Sequence, residues 1–116
     1  MMGNANERPP APDTAVVKFR EPKSALDVLI AARAKIEKPE NWLNRCPDHD
    51  EEADGRYCAA RAIWSTASPS KGRAYEALAH ACAVFSVPQF NDTHTHAEVL
   101  AAFDRAIEAE RAKALS

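Results

Sequence analysis

Apolar residues recur at helical spacing in four stretches of this chain, separated by prolines and polar loops. Ser24 stands before Ala25-Leu26-Asp27 in the relation of an N-cap and the acidic residue that reaches back to it. Leu26, Leu29, Ile30, Arg33 and Ile36 trace the first helix, and Pro39, which has no amide to donate, stops it. The run Pro39-Glu40-Asn41-Trp42-Leu43 reads as a short helical turn that tucks an aromatic side chain into the core. A polar loop over 44–56 follows, then a second helix over about 57–66 whose small residues Cys58, Ala59 and Ala62 permit close helix approach.

Ser68-Pro69-Ser70 breaks that helix. A third runs over about 70–85, with Tyr75, Leu78, Ala79, Cys82 and Phe85 on one stripe, and Val87-Pro88 ends it. The segment Phe90–Leu100 then supplies a turn and a helix start. Asn91 and Asp92 are expected to shape the turn by bonding nearby backbone amides. Thr95 and Glu98 form a capping box, and Val99, Leu100, Phe103, Ala106 and Ile107 carry the fourth helix toward Lys113. The fold class is therefore all-α: a compact single domain of about four helices over 15–116. Pro9, Pro10 and Pro12 among polar residues make 1–14 a disordered arm, and 15–19 reads as a short extended piece without a partner strand.

Composition narrows the functional classes. A formal charge of −2 with scattered Lys and Arg disfavours nucleic acid as a partner. No run approaches the roughly 18–20 apolar residues that cross a bilayer, and the first residues lack the apolar stretch of a secretory signal, so a cytoplasmic protein with no membrane partner is expected. Cys46, Cys58 and Cys82 make no C-x-x-C pair, and reduced thiols are the plain expectation there.

Three constellations invite chemistry. Asp48, Asp50, Glu51, Glu52 and Asp54 resemble a calcium loop with Gly55 at its sixth position, but the twelfth falls on Arg61, where a bidentate Glu is required. What remains is a solvated turn or, as the functional alternative, a concentrated negative surface for a basic protein partner. Cys46, His49 and Cys58, with His80, Cys82, His94 or His96 as a fourth ligand, have the atoms of a zinc site at a spacing that fits no compact module. Cys58 or Cys82 beside His80 or His49 would be the pair for a small Cys/His enzyme, yet no third orienting group or oxyanion loop accompanies them. His94 and His96, flanking a helix start, read as surface side chains on different sides. No cofactor and no catalytic residue is expected. Trp64 stands apart: an inward line of the second helix through Ala59, Ala62, Ile63 and Thr66 leaves Trp64 to the side, as an interface anchor would be, whereas another rotation of the helix buries it.

Three blocks carry a resemblance. They are Val28-Leu29 through Trp42, then Asp54-Gly55-Arg56-Tyr57-Cys58-Ala59, then Phe90-Asn91-Asp92 followed by Thr95-His96-Ala97-Glu98-Val99-Leu100-Ala101-Ala102-Phe103-Asp104-Arg105-Ala106. Over about 25–110 the chain resembles a family of short bacterial and phage helical proteins of unknown function. The resemblance implies a phage or mobile-element setting and no activity. With the residues, it leads to the expectation of an accessory protein that acts by protein–protein binding or self-association and modulates host machinery. A zinc-stabilised domain and a small Cys/His enzyme are the alternatives.

Overall fold

A computed structural model describes residues 23–45, 55–83 and 86–115. The proline arm, the 15–19 piece, Cys46, the acidic stretch from Asp48 to Asp54 with His49, and Phe85 lie outside them. Among the described residues five α-helices follow one another: α1 Ala25–Ile36, α2 Ala59–Trp64, α3 Lys71–Cys82, α4 Val87–Thr93 and α5 His96–Leu115. A 3-10 turn, Pro39–Asn41, follows α1. The only strand-like pairing described is one parallel bridge between Trp42 and Tyr57, with Leu43 N donating to Tyr57 O and Tyr57 N to Asn41 O, both at 2.9 Å.

Both expected capping boxes form. Ser24 Oγ accepts from Asp27 N at 3.0 Å while the Asp27 carboxylate receives the Ser24 amide. Thr95 Oγ1 accepts from Glu98 N at 3.2 Å, and Glu98 Oε1 from Thr95 N at 2.8 Å. Helix α4 is the element that the apolar pattern does not show. Pro88 was expected to end a helix; instead it sits in a first turn, where its missing amide would have had no partner anyway. Ser86 is the N-cap of that turn, its Oγ accepting from Gln89 N at 3.2 Å. Helix α3 correspondingly ends earlier than expected, at Ala83, which adopts φ 56° without being glycine.

Helix α1 packs on α2, α3 and α5, and α3 closes the core against α5. The buried face of α1 is Ala25, Val28, Leu29, Ala32 and Ile36, rotated from the expected line, so Ile30 stands 41% exposed. Alanines at 25 and 32 let the helices approach closely, which favours this rotation over one that buries Ile30. Val99, Ala102, Phe103, Ala106 and Ile107 are the buried face of α5. Phe103 is fully buried, worth about 1.5–3 kcal/mol in apolar transfer. The short α4 packs on α2 and α3. Among the described residues no helix is long and apolar enough to cross a membrane.

Candidate functional site

Two corners of the molecule are organised around a tryptophan. At the first, α4 delivers Asn91 into the interior, where it is fully buried. Its Oδ1 accepts from Trp42 Nε1 at 2.7 Å and from Ala59 N at 3.0 Å, and its Nδ2 donates to Leu43 O at 2.9 Å. Ala59 opens α2, whose N-cap residue, Cys58, makes no side-chain cap bond. Asn91 is therefore a cap supplied from another helix, satisfying an amide that α2 cannot satisfy itself. Asn44 Nδ2 donates to Asn91 O and His94 O at 3.1 and 3.3 Å, closing the carbonyl end of α4. The expected local role of Asn91 in a turn is thus replaced by a long-range one.

The two histidines of this corner are half-buried rather than free on the surface. His94 stacks on Phe90, with ring centroids 3.8 Å apart, and its Nδ1 lies 2.9 Å from Phe90 O, to which it donates. His96 Nε2 donates to Ile36 O at 2.7 Å, closing the end of α1, and its ring lies 5.4 Å from that of Trp42. Each side-chain donor named here has an acceptor within the chain. The corner is a joint.

The second corner lies where α2 meets α3. Trp64 ends α2 with 46% of its surface exposed, the position that the inward line of that helix implies. Its indole stacks on Tyr75 of α3, centroids 5.2 Å apart and planes 28° from parallel. Lys71 Nζ donates to Trp64 O at 3.0 Å. Lys35 of α1 donates to Ser65 Oγ at 2.8 Å and Thr66 Oγ1 at 3.2 Å, and its ammonium lies 5.4 Å from the centre of the Tyr57 ring. Burial holds the Tyr75 phenol above its ordinary range. Here an apolar surface faces water on a rigid mount.

The other candidate residues are not brought together with these. Cys58 is buried and disulfide-bonded rather than a reduced thiol, which withdraws its sulfur from a zinc ligand set. Cys82 is a buried free thiol, pushed up to about 11 by burial, so it is protonated at neutral pH, the reverse of an activated nucleophile. His80, its sequence neighbour, is exposed along the groove of about 660 Å³ between α3 and α5. That groove mixes Arg73, Glu76, His80, Glu110 and Lys113, and such alternating charge selects no ligand. Asp48, Asp50, Glu51, Glu52, Asp54, Cys46 and His49 lie outside the described residues.

The exposure of Trp64 agrees with one of the two rotations that the helix period allows. Sequence reasoning misses the Trp42–Asn91–Ala59 joint, whose parts are far apart in the chain. Compared with known proteins, residues 20–109 match a family model described as a family of unknown function (DUF6197). No curated protein and no solved structure matches the chain.

Proposed function

For this chain, which belongs to the family of unknown function DUF6197, we propose a binding role: a small helical accessory protein that acts by protein–protein contact through the corner around Trp64. The observation that carries this reading is the exposure of Trp64 on a fixed support. A large amphipathic ring held by Tyr75 has little side-chain freedom left to lose on association, and such residues dominate the energy of protein interfaces. The backbone beneath it is fixed as well, since Trp64 O receives the Lys71 ammonium. The resemblance to short bacterial and phage proteins directs the search for the partner to the proteins of a bacterial host.

The test compares wild-type and Trp64→Ala protein as baits in a host extract, with Trp64→Phe as a rescue. The variant keeps the helical circular dichroism of the wild type and loses the captured protein, and Phe restores part of the capture. Equal capture by the Ala variant overturns the reading.

A further inference from the structure

The chemistry of the partner can be read from the charges around Trp64. Lys35 and Lys71 approach the end of α2 from two sides and touch consecutive residues, Lys71 at the Trp64 carbonyl and Lys35 at the Ser65 and Thr66 hydroxyls. The carbonyls of that helix end do not require Lys35. Arg61 O accepts from Ser65 N, Ile63 O from Thr66 N, and Ala62 O from the Ser65 and Thr66 hydroxyls. Lys35 is therefore a second cation at a terminus that one cation and two hydroxyls already complete.

Neither lysine forms an ion pair with another of the described residues. The ion pairs among the described residues are Arg33–Asp104 and Lys113–Glu110, and neither involves this corner. Burial and, after it, the charge of Lys71 lower the pKa of Lys35, so the two cations sit in each other's field. An ammonium has three donors. Lys35 spends two on hydroxyls and Lys71 one on a carbonyl, which leaves donors on both without an acceptor among the described residues, at the helix end that carries Trp64.

We propose that this corner docks an acidic segment of a protein partner: a carboxylate takes the spare donors of Lys35 and Lys71 while an adjacent apolar side chain covers Trp64. The inference rests on the binding role proposed above. A nucleic acid is the poorer fit, because two lysines on a chain of net charge −2 do not make the basic stripe that a phosphate backbone requires.

The experiment titrates full-length ¹⁵N-labelled protein with three probes: a short peptide of glutamates around one leucine, its lysine counterpart, and a short single-stranded oligonucleotide. With the acidic peptide, amide shifts gather at residues 64–71 and at Lys35, and they shrink as salt is added. Lys35→Met with Lys71→Met keeps the aliphatic stems and weakens the acidic peptide about tenfold. Amide dispersion in the same spectra reports folding, and Lys71→Met alone serves if the double variant unfolds. Shifts absent from this corner, unchanged affinity in the methionine variants, or tighter binding of the oligonucleotide overturns the proposal. If the methionine variants still capture a host protein that Trp64→Ala loses, the acidic-segment inference falls and the binding role stands. If Trp64→Ala captures as the wild type does, the binding role itself falls.

Discussion

Trp42 and Trp64 show what one residue type does under two different rules of burial. Trp42 is partly buried against the core, its indole N–H bonded to Asn91, its face against His96. Trp64 is nearly half exposed and supported from beneath by another ring. At the first corner each named donor meets an acceptor among the described residues. At the second, hydroxyls and carbonyls are satisfied while two ammonium groups and an indole face keep capacity for an outside ligand. On the proposed binding role, unspent hydrogen-bond capacity near exposed apolar area, more than the presence of an aromatic residue, would separate an interface from a joint.

The comparison breaks first at Asn91. Asn91→Leu is nearly isosteric and strips the partners from Trp42 Nε1, Ala59 N and Leu43 O at once. It is expected to cost about 3 kcal/mol or more in urea unfolding, because each buried group left unpaired costs about 1–3 kcal/mol. A loss below about 1 kcal/mol would show that the joint is not a joint. Next, Trp42→Phe removes one of the two donors to Asn91 Oδ1 and leaves the Ala59 amide bonded. About 1–2 kcal/mol is expected, measured the same way.

Trp64→Ala inverts the pattern. Its stability changes by about 1 kcal/mol or less, the size of a lost aromatic pair, while partner capture disappears. A large loss of stability with intact capture would exchange the roles of the two tryptophans. The smallest effect is a pH dependence next to the first corner. The Thr95 amide bond, foremost, holds the Glu98 carboxyl below its ordinary range. The folded state therefore binds fewer protons than the unfolded one in that window. The box stabilises the fold above the ordinary glutamate pKa of about 4.3, and the contribution is lost as pH falls through the lower folded value. Glu98→Gln should flatten this acid limb of the melting curve and leave the Trp64 corner untouched. An unchanged limb would remove the carboxylate from the cap.

What could be read in the chain is what spans a single helical turn. Ser24 with Asp27 and Thr95 with Glu98 are separated by three residues, so their bonds follow from spacing alone. The exposure of Trp64 follows from the same period, once Ala59, Ala62, Ile63 and Thr66 point inward. Helix α4 was hidden because Pro88 serves equally as a stop and as a first-turn residue, and only Ser86 distinguishes the two. The rotation of α1 was hidden because Ile30 and Val28 are equally apolar, and the buried alanines at 25 and 32 decide between them. Asn91 was beyond reach for a stronger reason: its partners at 42, 43 and 59 are joined to it only after three elements have packed. The pairing of Lys35 with Ser65 and Thr66 is of the same kind.

The bridge between Trp42 and Tyr57 has a consequence for how this chain could vary. Leu43 and Tyr57 are tied to each other directly, and Leu43 and Ala59 a second time through Asn91. Residues 43 and 57, on either side of segment 44–56, are thus held together by bonds among residues 41, 43, 57, 59 and 91. Closing a flexible loop costs entropy that grows only with the logarithm of its length, about 0.6 kcal/mol for each doubling. Residues 43 and 57 would therefore stay joined at little entropic expense if the chain between them grew longer.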